Sequence, residues 1–450
     1  MDENTKLFED LLLLLENREF RQLRETLTEL NEADAAEFLE TLPEKQMLIV
    51  FRTLHKETAA DVFSYLSPEL QEKLITTITD REASAIIDEL AVDDAVDALD
   101  ELPANVVQRL LRYTSPETRQ TINQFLNYPE FSAGSIMTSE FVHLKKEMTV
   151  EQAFERIRKV GLDSETVYTC YVTDANRRIE GVVTVRALFL ASLETRMEEI
   201  MDKDVIYAYT SDNQEEVAQI ISKYDFLSLP VVDQEGRLVG IVTVDDIIDV
   251  IQEENTEDFE KMAAMRPSQT TYLKTSVLEM ARNRVPWLMV LMISATFTGG
   301  ILSNFEHAIS LMPILVTFIP MLMDTGGNSG AQSSTMIIRG LALGEVANRD
   351  LPKVLWKEVR VSLCTGVCLA FVNYIRLLII GSNNIAVNMT ISFALLATVT
   401  VANSLGGLLP ILAKNLNVDP AIMASPMITT IVDACALAVY FNLARVLLGL

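Results

Sequence analysis

Two carboxylates stand in segments otherwise apolar enough to exclude them. Asp433 lies in Thr429-Thr-Ile-Val-Asp433-Ala-Cys435, and Asp324 opens Asp324-Thr-Gly-Gly-Asn-Ser-Gly-Ala-Gln332. A charge at membrane depth is costly, so such a residue points to function before structure. No Lys or Arg stands three or four residues from Asp433 on either side. A hydrogen-bonded or protonated structural Asp is the bland alternative. The amide oxygens of Asn328 and Gln332 lie near Asp324 in the chain. Carboxylate plus amide and backbone oxygen is hard-cation chemistry, suited to Mg²⁺ or Ca²⁺. One carboxylate per chain suits an ion that keeps its waters, as Mg²⁺ does. Softer metals find little here. The four Cys (170, 364, 368, 435) show no paired metal spacing, and the three His (55, 143, 307) are scattered.

The elements that must hold these acids are apolar spans. Five segments approach the length needed to cross a bilayer: Val285–Ser303, Ala308–Leu341, Val359–Ile380, Ile385–Ala413 and Ala424–Leu448. The second is too long for one straight crossing. Pro313, Pro320 and glycines 326, 327 and 330 predict a broken helix there, lining a cavity. A packing face of small residues is the alternative. Basic residues mark one side of the membrane: Lys274, Arg282 and Arg284, then Arg339, Arg349, Lys353, Lys357 and Arg360, then Lys414. The connections near Asn304–His307 and Gly381–Asn388 carry none. This charge bias predicts a cytosolic N-terminus and an external C-terminus, with Arg376 and Arg445 as exceptions. Met1–Asp10 is acidic and Leu11–Leu15 is short, so no signal peptide is expected. An odd number of spans is compatible with a two-fold dimer and a pore at the subunit interface.

Charge divides the 450-residue chain. Residues 283–450 hold 9 Lys+Arg against 7 Asp+Glu, whereas residues 1–282 hold 28 against 56. So acidic a soluble half excludes nucleic acid and anionic lipid as partners and favours cations. Its first part is repetitive. Ala35-Ala-Glu-Phe-Leu-Glu-Thr-Leu-Pro43 returns as Ala59-Ala-Asp-Val-Phe-Ser-Tyr-Leu-Ser-Pro68, then more loosely at Ala83 and Ala95. Stacked short helices follow from that period. Asp88, Glu89, Asp93, Asp94, Asp97, Asp100 and Glu101 form acidic rows, for most of which a solvated face is sufficient explanation. From about Phe131 two α/β units follow, each a helix (Thr149–Gly161, Asn213–Tyr224) before a hairpin (168–185, 227–246). Beyond them Asp245–Met265 predicts a helix ended by Pro267. It carries Asp245, Asp246, Asp249, Glu253, Glu254, Glu257, Asp258 and Glu260. Like charges at i,i+3 and i,i+4 repel unless cations offset them.

Leu229-Pro-Val-Val-Asp-x-x-Gly-x-Leu-Val-Gly-Ile-Val-Thr-x-x-Asp246 is similar to the CBS-domain signature. Together with Gly326-Gly-Asn-x-Gly-x-Gln332, Ser333–Arg339, Asn417-Val-Asp-Pro-Ala421 and Ser425-Pro-x-x-Thr…Asp433, it makes the whole chain resemble the MgtE family of magnesium channels. The resemblance implies a multidomain protein: an all-α helical-repeat N domain (1–130), an α/β CBS pair (131–198, 199–250), a linking helix (245–282) and an all-α five-helix transmembrane domain (283–450). It implies a homodimeric Mg²⁺ channel of the cell membrane, gated by cytosolic Mg²⁺, with no enzymatic activity. Regulatory Mg²⁺ ligands would be Asp61, Asp93 and Asp97 facing Glu215, Asp225, Asp246 and Asp249. A second group would join Glu254, Glu257 and Asp258 to Asp419. Asp433, Asn328, Gln332 and Asp324 would serve the pore. The resemblance also implies ATP in the CBS pair, at one site at most. Thr243-x-x-Asp246 keeps the ribose-binding Asp, whereas Thr184-x-x-Ala187 lacks it. A transporter of Co²⁺ or Mn²⁺ and a non-conducting, membrane-tethered nucleotide sensor are the rival functions.

Overall fold

A computed structural model describes residues 3–100, 102–162, 164–268, 272, 275–380 and 384–449. Glu101, Lys274 and the start of the Gly381–Asn388 connection lie outside the described residues. The chain forms two compact units, Met1–Ile251 and Gln252–Leu450.

The first unit opens with ten short helices, from Glu3–Glu16 to Pro116–Phe125. The sequence repeat is a repeat of burial. Ala35, Ala36, Phe38 and Leu39 are buried, and so are Ala59, Ala60, Val62 and Phe63, then Ala83, Ile86 and Ile87. Small residues let helix Glu32–Thr41 approach Lys56–Ser64, and Lys56–Ser64 approach Asp80–Ile87, while the larger residues fill the layer between them. Local chemistry sets the ends. Thr79 and Glu82 form a capping box at the start of Asp80–Ile87.

Two three-stranded sheets follow, with matching order. Phe141–Lys145 pairs parallel with Thr166–Thr173, which pairs antiparallel with Ile179–Thr184. Ala208–Tyr209 pairs parallel with Ser228–Val232, which pairs antiparallel with Leu238–Thr243. Both predicted hairpins are present. The predicted helices are Val150–Val160, capped by Thr149, and Gln214–Tyr224, capped by Asn213. The two sheets share a small core of Tyr171, Leu238 and Ile241. The buried Tyr171 hydroxyl and Ser228 Oγ lie 2.7 Å apart, so a shared proton satisfies both where water cannot reach. The helix after the second sheet runs Val244–Met262, slightly shorter than predicted, and its end is marked by Ala264 in the left-handed region (φ 54°).

The second unit is helical: Val277–Asn304, Ile319–Ala342, Leu351–Ile379, Ile385–Asn415 and Ser425–Leu448 are its long elements. Among the described residues, four spans are long and apolar enough to cross a membrane: Val277–Asn304, Asn348–Ile379, Ile385–Asn415 and Pro420–Leu448. Ile319–Ala342 is the exception, because Asp324, Asn328 and Gln332 dilute its apolar character. It also corrects the expectation of a break at the glycines. The helix is continuous from Ile319 to Ala342, and the irregular segment lies earlier, in the 3₁₀ turn Pro313–Phe318.

Packing explains why the glycines stay helical. A Cβ on Gly326 would stand 2.7 Å from Thr398 Cγ2, and one on Gly327 3.0 Å from Thr429 Cγ2. A Cβ on Gly406 would stand 2.4 Å from the Gly330 carbonyl oxygen. The helices are thus in near-backbone contact, and that packing outweighs the low helix propensity of glycine. Gly326 meets Thr398, Gly330 meets Ala402 and Gly406 meets Ser333, so Ile319–Ala342 and Ile385–Asn415 run parallel. Gly406→Ala should destabilise the bundle by about 1–3 kcal/mol through overpacking. Gly299→Ala, with nothing within 4 Å of its Cβ, should leave the midpoint near that of the parent. Thermal unfolding in detergent measures both.

Candidate functional site

The same helix that buries its glycines exposes its polar residues. Asp324, Asn328 and Gln332 are spaced i, i+4, i+8 and are all exposed, while Gly326, Gly327 and Gly330 are buried. The Asn328 amide donates to Asp324 Oδ1 at 3.2 Å. Ser425–Leu448 packs antiparallel to this helix, with Gly326 and Gly330 both against Val432 and Gly327 against Thr429. That register brings Asp433, half-buried, level with Asp324, and Asp324 acts on it electrostatically. Thus all four predicted pore residues lie on two adjacent helices.

A further acid was hidden from sequence reasoning. Glu358 sits in Leu351–Ile379, just before the span predicted from Val359. Ser333 Oγ donates to Glu358 Oε2 at 2.8 Å and also contacts the Asn403 carbonyl at 3.1 Å. Ser329 Oγ donates to Asn403 Oδ1 at 2.5 Å. A polar seam therefore joins the second, third and fourth long helices beside the glycine contact. Only the flanking Lys357 and Arg360 mark Glu358 in sequence, and they suggest a solvated turn.

In the first unit, Asp93 lies in the first turn of Val92–Asp100 and is buried, and its Oδ1 has no hydrogen-bond partner among the described residues. Burial, then Asp246, Asp94 and Glu165, hold its carboxyl well above the usual range. Asp94 is pushed up to about 6 by burial, then by Asp246, Glu165, Asp245 and Asp61. Glu165 is raised by burial and by Asp246 and Asp245. Asp61 is raised by burial and by Glu32, Glu57 and Glu89. The charged groups that act most on these four acids are themselves acidic. An open cavity of about 280 Å³ is lined by Glu32, Asp61, Tyr65, Glu89, Asp94 and Glu165.

Among the predicted ligands, Asp93 and Asp246 are brought together, with Asp61 at the edge of the same acidic patch. Asp249 acts on Asp246, which also accepts a hydrogen bond from Thr243 Oγ1. Asp97 is exposed on the Val92–Asp100 helix. Glu215 lies in the first turn of Gln214–Tyr224, and Asp225 caps its end with φ 53°. The acids that raise Asp93 and Asp94 are Asp61, Glu165, Asp245, Asp246 and Asp94 itself, and not these two. Asp94, Glu165 and Glu32 join the patch unpredicted. Glu165 is far from Asp94 in sequence, and no local pattern could have paired them. Among the described residues, no three His, Cys, Asp or Glu side chains converge as a ready metal cage. Carboxylates that do not converge as a cage suit a hydrated ion better than a stripped one.

In the second unit, Glu257 and Asp419 are joined by Lys261, whose Nζ lies 2.6 Å from Glu257 Oε1 and 2.7 Å from Asp419 Oδ2. Burial pushes the ammonium down, but its bonds to Asp419 and Glu257 outweigh this and raise it. Asp419 Oδ1 also accepts from the Ala421 amide at 2.8 Å. Met262 packs on Ile338, Ala421 and Ala424. Glu254 and Asp258 lie on the same helix, each already engaged in an interaction.

A polar-striped helical bundle following an acidic, CBS-containing half defines a multi-pass membrane transporter of cations. Family models match in the same order: an MgtE intracellular N domain at residues 30–131, CBS domains at 133–194 and 197–253, and a divalent cation transporter domain, MgtE, at 319–443. The chain belongs to the MgtE family of magnesium transporters. It is 38% identical to the magnesium transporter MgtE of Thermus thermophilus over 98% of this chain and 99% of that one. It is 32% identical to that of Bacillus subtilis over 96% of each chain. A crystal structure of the cytosolic domain of the Mg²⁺ channel MgtE in complex with ATP is 40% identical, covers 54% of this chain and 99% of its own, and aligns with a TM-score of 0.52.

Proposed function

We propose that the protein is an Mg²⁺-selective channel of the cell membrane that mediates Mg²⁺ uptake and closes as cytosolic Mg²⁺ rises. The observation that carries the gating is the buried Asp93 carboxylate, with an unpartnered oxygen, beside Asp246 and other acids. Repulsion opposes that arrangement, and a bound divalent ion supplies the missing positive charge. Asp61, Asp93, Asp94, Asp246 and Glu165 hold the ion through water and disfavour the closed arrangement without it. An ion that binds one arrangement better shifts the population toward it. Asp97, Glu215, Asp225 and Asp249 extend the same acidic surface, and Glu254, Glu257, Asp258 and Asp419 form the second group. Conduction rests on Asp433 and Asp324 with the amides of Asn328 and Gln332.

The exposed polar stripe supports a homodimer, since polar groups at membrane depth need cover from lipid. In this reading residues 1–130, 131–198, 199–250 and the 245–282 linking region are cytosolic, and the 283–450 domain ends outside. ATP in the CBS pair follows by analogy with the ATP-bound relative, with Asp246 shared between ribose and metal roles.

The gating reading makes a pH-dependent prediction. The folded carboxyl of Asp94, near 6, lies above its ordinary 3.8. The stability it contributes is therefore full below about 3.8 and is lost as pH rises through about 6. Bound Mg²⁺ should replace the lost protons above that window. Mg²⁺ should thus raise the unfolding midpoint and slow proteolysis of the full-length protein most at pH 7.5, with the gain shrinking toward pH 5. NaCl at equal ionic strength should do far less. Equal effects from both salts would sink the reading.

A further inference from the structure

The bridge between Glu257 and Asp419 already contains a cation, and that cation is part of the chain. Lys261 Nζ contacts both carboxylates, at 2.6 and 2.7 Å. Its side chain is 23% exposed, and those of Glu257 and Asp419 are 35% and 30% exposed, so all three are partly withdrawn from water. The geometry is cooperative. Glu257 and Lys261 stand i,i+4 on one helix, in the favourable order of acid before base. Asp419 comes from the Leu416–Ala424 connection, and its other oxygen is fixed by the Ala421 amide. One residue on, Met262 packs against Ile338, Ala421 and Ala424, giving the contact an apolar floor.

We propose that Lys261 is an internal counter-ion, a tethered monovalent cation that occupies the Glu257–Asp419 bridge whenever no divalent ion does. It rests on the gating reading only in taking the contact of the linking helix with this connection as part of the closed arrangement. Lys261 supplies the part of closure that needs no ion. It also sets the threshold for the part that does, because a divalent ion entering between these carboxylates must displace the ammonium. Lys261 is thus a positioning residue, acting through two acids and touching no permeant ion.

The test uses the full-length protein in inside-out patches, with Mg²⁺ as the permeant ion and the cytosolic face first in EDTA and then titrated with Mg²⁺. Lys261→Met should raise the current in EDTA by roughly twofold to tenfold, the worth of two partly exposed ion pairs. It should also make inhibition steeper, since the two acids then depend wholly on added ion. Lys261→Arg, which keeps a cation in place, should change both far less. In a Glu257→Gln background, the Lys261→Met effect should shrink by at least half, because one of its two partners is gone. An unchanged or reduced EDTA current in Lys261→Met, with Lys261→Arg conducting normally, would overturn the proposal. So would an equal Lys261→Met effect with and without Glu257. Failure of the parent to close in Mg²⁺ would instead refute the gating reading, and the EDTA current would still decide the role of Lys261. If Lys261→Met does not fold, Lys261→Gln serves, read against the same two outcomes.

Discussion

Asp433→Ala should abolish Mg²⁺ flux while leaving a folded protein. Asp433 is the carboxylate of Ser425–Leu448, level with Asp324 on the neighbouring helix. Removing it takes half of the negative charge that two adjacent helices present to a divalent ion. The expected loss is at least about a hundredfold, as for an ion-coordinating charge at membrane depth. Folding should survive, because the close contacts that pack this helix, those with Gly326, Gly327 and Gly330, involve Thr429 and Val432 and not Asp433. Asp433→Asn should retain partial binding and lose preference for divalent over monovalent cations. Ion flux into proteoliposomes, with Mg²⁺ and Na⁺ compared, measures both. Selective Mg²⁺ flux through the alanine variant would move the pore site to Asp324.

Deleting residues 1–130 should leave a channel that conducts but closes poorly in cytosolic Mg²⁺. The deletion removes Asp61, Asp93 and Asp94, while Asp246, Asp245 and Glu165 stay behind without facing acids. The ion-dependent share of closure at that patch is then lost. The contact of Glu257 and Asp419 through Lys261 remains. Inhibition should shift to about fivefold higher Mg²⁺ or more and become shallower, at the scale of ordinary site-to-site coupling. Cells carrying the truncation should grow poorly in high external Mg²⁺. Unchanged midpoint and steepness would place the sensor in the CBS pair and the linking helix.

The legible parts of this molecule were those written over short distances. The hairpins at 168–185 and 227–246 announce themselves because apolar runs flank a polar turn, and Thr149 and Asn213 cap their helices locally. Ala208–Tyr209, at two residues, is too short for any alternation to mark. The glycines misled for a different reason. Propensity describes a helix alone, and Gly326 stays helical because Thr398 and Val432 leave no room for a side chain. Such partners, more than seventy residues away in the case of Thr398, are invisible in a local window. The acids follow the same rule. Asp93 was one of seven acids in its rows and was singled out only by the family resemblance, because its burial and its neighbours Asp246 and Glu165, from separate sequence segments, leave no local mark. Lys261 lay unremarked among the acids of its helix because its second partner, Asp419, is 158 residues away.

The close contact of Gly406 with the Gly330 carbonyl limits how this domain can move. With no side chain between them, neither helix can roll or slide past the other without collision. Ser425–Leu448 meets the same face through Val432 and Thr429, so these three helices share few internal degrees of freedom. Val277–Asn304 differs, having no buried residue along its 28-residue length. Opening and closing should therefore be concentrated where rigid block and loosely held helix meet, and spectroscopic labels should report large excursions on Val277–Asn304 and almost none between the exposed positions Met336 and Leu412 of the two glycine-packed helices.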